Sequence, residues 1–259
     1  MSDSTDYPVA PFEGIGAALC TIFDSRGKLD APGTASLAVQ LVDAGVDALV
    51  VAGTTGEAIT LTRKERVKAL RAVLDAVEGR VPVIAGSGAP SIHQAAIYTA
   101  DAVDTGANGV LALSPPGVED PRAYYDAIAK DTAGVPLLAY HYPKQSAPGI
   151  QADLLTDLPI SGCKDSSGDA QWFLEAVTEW EGPMYTGSPA LLSWAGPIGA
   201  SGAILGLANV EPELCSRAFY GDAEAQRELA GPIQMTRSIH ALKDLVAARF
   251  GVSSVARLG

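Results

Sequence analysis

VDALVVAGTTGEAITLTRKERVKALRAVLDAV, residues 46–77, is the stretch from which the fold is read. Its first seven residues are apolar almost throughout, as in a strand buried on both faces. A glycine-bounded loop, GTTGE, follows at 53–57, and a charged helical pattern then runs from about residue 62 to 77. Thr62 and Glu65 stand three apart at its start, the spacing of a capping box. Buried strand, short loop and amphipathic helix make one βα unit, and the chain repeats that unit in both directions.

Before it, residues 14–23 form a β-like apolar run, with a turn at 24–28 and a helix over 34–44 closed by Gly45. After it, strands are expected at 80–86, 109–113, 135–140, 159–164, 183–186 and 202–205. Helical patterns fall at 91–105, 121–132, 151–156, 170–180, from 190 onward, and at 212–220. Such alternation with short connections implies a parallel sheet with crossover helices. Eight units suit a closed (β/α)8 TIM barrel better than an open doubly wound sheet, and 259 residues is a usual length for one. No Gly-x-Gly-x-x-Gly follows the first strand and no Walker-type loop occurs, which removes the main support for a nucleotide fold. The expectation is an α/β TIM barrel over residues 1–220, with a C-terminal helical extension of the same domain over 221–259.

Hydrophobic residues make up 47% of the chain, enough for a sizeable core, and the net charge of −12 argues against nucleic acid or an anionic membrane as partner. Cys20, Cys163 and Cys215 are far apart with no CxxC pair, so they read as reduced thiols of a cytoplasmic protein. Residues 1–14, MSDSTDYPVAPFEG, are acidic and polar, unlike a signal peptide, and no apolar run reaches about 18 residues. The three histidines show no ligand spacing, so neither a metal nor a cofactor is expected. His93 and His240 read as helix-surface residues and His141 as pocket lining.

In a β/α barrel the chemistry gathers where strands end and helices begin. Residues 159–169, PISGCKDSSGD, put Lys164 at the tip of the sixth strand. A lysine there is partly desolvated, its pKa falls, and the neutral amine can attack a carbonyl. The second strand ends in Gly53, Thr54 and Thr55, whose hydroxyls and backbone N–H groups suit a carboxylate. The fifth ends in Tyr140-His141-Tyr142-Pro143, the seventh in Gly187 and Ser188, and the eighth offers Ile204. Together they suit Schiff-base chemistry: Lys164 attacks a keto group, and the iminium becomes an electron sink for making or breaking a C–C bond. Tyr140 moves protons and the threonine pair holds the α-carboxylate. Taken singly, each has an ordinary reading: a surface lysine, a core tyrosine, a glycine-rich turn. Their occurrence at successive strand ends is the stronger signal.

Here the chain resembles the dihydrodipicolinate synthase / N-acetylneuraminate lyase family of class I aldolases. The resemblance rests on GIGAALCTIFDSRGKLD at 14–30, GTTGEAITLTRKER at 53–66 and YHYP at 140–143. It extends to GCKDSSGD at 162–169 and GASGAILGLANVEPELC at 199–215. It implies a TIM barrel, a pyruvate-derived Schiff base on Lys164, proton transfer by Tyr140, carboxylate binding by Thr54 and Thr55, and a tetramer built from dimers. Two departures bear on the substrate. Where dihydrodipicolinate synthases carry a tyrosine pair after the fourth strand, this chain has Ser114-Pro115-Pro116-Gly117. Where they carry an arginine after Tyr-x-x-Pro, it has Lys144-Gln145-Ser146-Ala147. The Tyr-x-Tyr-Pro and Lys-Asp-Ser pattern is closer to the 2-keto-3-deoxygluconate aldolase branch. The resemblance therefore implies reversible cleavage of 2-keto-3-deoxygluconate, or its 6-phosphate, to pyruvate and glyceraldehyde or its phosphate. Lys144 or Arg122 would meet a phosphate. The alternatives are 4-hydroxy-tetrahydrodipicolinate synthesis, a hydratase or dehydratase of other 2-keto acids, and a keto-acid-binding barrel without turnover.

Overall fold

The structure, a computed structural model, describes residues 10–258; most of the acidic N-terminal stretch read above lies outside them. The strands are β1 (Gly14–Ala18), β2 (Ala48–Val51), β3 (Val83–Gly86), β4 (Gly109–Leu113), β5 (Leu137–His141), β6 (Gly162–Asp165), β7 (Met184–Thr186) and β8 (Gly202–Leu205). They pair in sequence order, all parallel, and β8 closes on β1. This is the (β/α)8 barrel that the alternation implies. Around it run α1 (Ala31–Asp43), α2 (Arg63–Val77), α3 (Ile92–Thr105), α4 (Arg122–Ala129), α5 (Ala170–Glu179), α6 (Leu192–Ala195) and α7 (Pro212–Phe219). Then come α8 (Ala223–Glu228), α9 (Ala230–Met235) and α10 (Ile239–Phe250), followed by an extended tail.

Local physics sets the ends. The capping box of α2 is present: Glu65 N–H donates to Thr62 Oγ1, and the Glu65 carboxylate accepts from Thr62 N–H at 2.9 Å. Helix α1 starts three residues earlier than its apolar spacing suggests. The Asp30 carboxylate accepts from Gly33 N–H at 2.9 Å, and Pro32 sits in the first turn, where its missing donor costs nothing. Strands are shorter than their apolar runs because ladder pairing stops where the neighbouring strand stops; β1 ends at Ala18, not at residue 23. Between β5 and β6 the crossover is a 3-10 helix, Ala152–Asp157, and the helix after β7 begins as a 3-10 turn leading into the four residues of α6.

Alternation along the strands divides the side chains between two cores. Ala48, Val50, Ile84, Leu111, Leu138, Tyr140, Tyr185 and Ile204 fill the barrel interior. Leu49, Val51, Val83, Val110, Ala139 and Cys163 face the helices, in one cluster that also holds Leu229, Leu242 and Val246 of the C-terminal segment. Phe12, just before β1, forms the barrel floor: its ring stacks on Tyr185 at 4.6 Å, and the Tyr185 hydroxyl donates to Phe12 O. Gly16 makes this possible, since a Cβ there would stand 2.9 Å from the Phe12 ring. The three cysteines are buried and unpaired. No helix among the described residues is long and apolar enough to cross a membrane.

Candidate active site

Tyr140 and Lys164 are register partners on β5 and β6. Tyr140 is placed inward by strand parity, and the Lys164 Nζ lies 4.3 Å from the centroid of its ring. Lys164 is 5% exposed. Burial takes its pKa from 10.5 down to about 7, against a weaker opposing pull from the Asp165 charge. Burial likewise raises the Tyr140 phenol, partly offset by the hydroxyls of Ser166 and Thr54, which face it. At rest the pair is therefore a phenol beside an amine that is largely able to be neutral.

Thr54 and Thr55 occupy the turn after β2, which is held by Glu57 N–H donating to Thr54 O at 3.0 Å and Ala58 N–H to Gly53 O. Gly187 leaves room for Ser166: a Cβ there would run into the Ser166 Oγ, so glycine lets that hydroxyl stay by Tyr140. Ser188 N–H donates to Thr186 Oγ1, and Ile204 packs in the interior cluster with Tyr140. The geometry thus gathers Thr54, Tyr140, Lys164 and Ile204 at the C-terminal strand ends, with Gly53, Thr55, Gly187 and Ser188 around them.

Two cavities open there. One of about 240 Å³ is lined by Gly53, Thr54, Tyr140 and Arg66. The other, of about 450 Å³, is lined by Thr55, Tyr142, Gly187 and Arg237. Thr54, Gln145 and Leu258 line both. A larger groove of about 660 Å³ lies among α1, α2 and α3, away from the strand ends.

Three expectations are corrected. His141 does not line the pocket, because strand parity turns it to the helix layer. There it stacks flat on Trp172 at 4.0 Å, and its Nδ1 accepts from Ile150 N–H at 2.9 Å. Burial lowers its pKa to about 4, so it is neutral at pH 7. Arg122 is unsuited to a phosphate, as its guanidinium is taken by Asp120 at 2.6 Å and by Asp157. Lys144 is exposed and lines neither of the two cavities, whereas its equally exposed neighbour Gln145 lines both.

Four residues escaped the sequence reading. Ser166 follows Lys164 by two positions, and that spacing could have found it. Gln145 stands five after Tyr140, but nothing in its type points inward. Arg66 reads as one of many charges on α2. It is largely buried, its Nη atoms donate to Gly86 O and Ala58 O, and no carboxylate among the described residues pairs with it. Leu258 is far away in sequence and carries no local signal.

A closed (β/α)8 barrel with a desolvated lysine beside a tyrosine at its C-terminal mouth has the build of a class I aldolase, a carbon–carbon lyase. The chain belongs to the dihydrodipicolinate synthetase family, whose model matches residues 11–256. An uncharacterized DapA-like lyase of Halobacterium salinarum is 36% identical over 231 residues, covering 86% of this chain and 76% of that one. A 4-hydroxy-tetrahydrodipicolinate synthase of Pseudomonas aeruginosa is 35% identical over 231 residues, covering 83% and 78%. Among solved structures, the E. coli K12 prophage protein YagE in complex with pyruvate superposes with a TM-score of 0.89. Its identity is 26%, over 95% of this chain and 92% of that one.

Proposed function

We propose that this lyase cleaves a 2-keto-3-deoxy sugar acid, 2-keto-3-deoxygluconate or its 6-phosphate, reversibly to pyruvate and glyceraldehyde or its phosphate. The observation that carries the reaction type is Lys164, buried, with its amine against the Tyr140 ring and its pKa near 7. The neutral Nζ adds to the C2 keto carbon. The carbinolamine hydroxyl takes the Tyr140 proton and leaves as water, giving the iminium. The phenolate so formed accepts the C4 hydroxyl proton as the C3–C4 bond breaks, and that electron pair moves onto the iminium as an enamine. The aldehyde departs, C3 is reprotonated, and water releases pyruvate from Lys164. Thr54 and Thr55, with the N–H groups of their turn, hold the carboxylate. For the sugar hydroxyls, Gln145, Tyr142 and Ser238 offer neutral partners in the cavities that Thr54 lines.

A second reading is 4-hydroxy-tetrahydrodipicolinate synthesis. The names of several relatives favour it, and so do Arg66 and Arg237, cations that a carboxylated aldehyde could use. One experiment separates the readings. Incubation with pyruvate and sodium borohydride, followed by peptide mapping, should place a pyruvyl adduct on Lys164. Turnover should then be found with 2-keto-3-deoxygluconate or its phosphate. Turnover with pyruvate and aspartate semialdehyde alone would install the second reading, and no adduct on folded protein would remove both.

A further inference from the structure

The loop that carries Thr54 and Thr55 ends in Glu57, a left-handed residue (φ 54°) that is fully buried. Its carboxylate is the anchor of the C-terminal tail. One oxygen is paired with Lys243 Nζ of α10. The other accepts from the backbone N–H groups of Arg257 and Leu258, both at 2.7 Å. The Lys243 ammonium also donates to Val255 O at 2.8 Å. The Arg257 guanidinium lies 4.2 Å above the Phe23 ring, donates to Gly27 O at 2.7 Å and pairs with Glu65 at 2.6 Å. These bonds, several of them to charged and buried partners, fix this stretch of the tail in one place.

This fixed segment carries Leu258, whose side chain joins other apolar residues, Ile59 and Leu113 in one cavity and Ile233 and Leu242 in the other, at the mouth. Leu258 lines both cavities, together with Thr54 and Gln145. We propose that Leu258 is a specificity-determining residue, a roof over the carboxylate-binding threonines that limits the bulk of the 2-oxo acid reaching Lys164. The proposal rests on the aldolase reading of the site. Glu57 is the positioning residue, since one buried carboxylate holds both the threonine turn and the roof.

The test compares the native protein with Leu258→Ala in borohydride trapping on Lys164, using pyruvate and the bulkier phenylpyruvate. Pyruvate trapping gives the reference rate for each protein, and phenylpyruvate is read relative to it. Phenylpyruvate should be trapped at least about tenfold faster in the variant, the scale on which a pocket discriminates added apolar bulk. Equal phenylpyruvate rates overturn the roof. If pyruvate is not trapped at all, the aldolase reading fails, and the roof is then read without it. Thr54→Cys places a thiol on a half-buried residue that lines both cavities with Leu258, while the native cysteines are buried. A bulky maleimide should label it at least about tenfold faster when Leu258→Ala is added. Equal labelling overturns the proposal, and circular dichroism of each variant guards against unfolding as the cause of faster labelling.

Discussion

Burial takes Lys164 from 10.5 to about 7, and this has consequences for both rate and stability. Adduct formation with pyruvate should rise with pH and level off a little above 7, measured as the initial rate of borohydride trapping; a midpoint above 9 would contradict the desolvated amine. Between about 7 and 10.5 the unfolded chain holds the lysine proton and the native chain does not, so stability rises with pH across that interval. The penalty is complete below about 7 and gone above 10.5. Lys164→Met should therefore abolish turnover yet raise the melting temperature at pH 6, by on the order of a few kcal/mol of stability, with the gain shrinking as pH rises. Tyr140→Phe should lower kcat by about two to four powers of ten, with the pyruvate adduct still trappable. Lys164, Tyr140, Thr54 and Thr55 are legible in the sequence because each lies at the C-terminal end of a strand or in the turn just beyond it, and that is where a barrel keeps its chemistry. Gln145 and Arg66 are not legible in that way. One sits in a loop whose path no period dictates, and the other belongs to a helix whose charges look alike until one of them is buried.

Among the elements, β5 shows how parity divides labour. Tyr140 points to the substrate side and His141 to the helices, where it secures Ile150 and stacks on Trp172, whose indole N–H donates to Ile150 O at 2.9 Å. His141→Ala should cost about 1–3 kcal/mol, the cost of a buried N–H left without a partner, with little change in adduct formation; urea denaturation and trapping together check this. Because His141 falls from 6.5 to about 4 on folding, its contribution is a loss of stability as pH drops through that window. Helix α5 starts at Asp169, whose carboxylate accepts from Gln171 N–H and Trp172 N–H. Asp169→Ala should cost about 1 kcal/mol in the same measurement. The order of elements follows from the alternation of apolar runs with capped helical patterns. Their ends do not, because β1, for example, stays apolar to Phe23 while its hydrogen-bonded neighbours stop earlier.

At the scale of the whole molecule, Glu57 ties residues 53–57 to a segment 200 positions away in sequence. Glu57→Ala would leave the fully buried Lys243 ammonium without its carboxylate and should cost about 3–5 kcal/mol by urea denaturation. A loss below about 1 kcal/mol would mean that the tail is held by other means. Nothing in the sequence could pair these positions, since the contact exists only after the barrel has closed. The Phe12 floor has a kinetic consequence of another kind. A chamber plugged at its base has its traffic at one doorway, so arrivals and departures must queue. On the aldolase reading, the fragment bonded to Lys164 sits innermost and the aldehyde nearer the exit. The aldehyde leaves first, pyruvate leaves last, and in the reverse direction pyruvate must enter first. Pyruvate as product should then compete with the sugar acid for free enzyme, whereas glyceraldehyde should not.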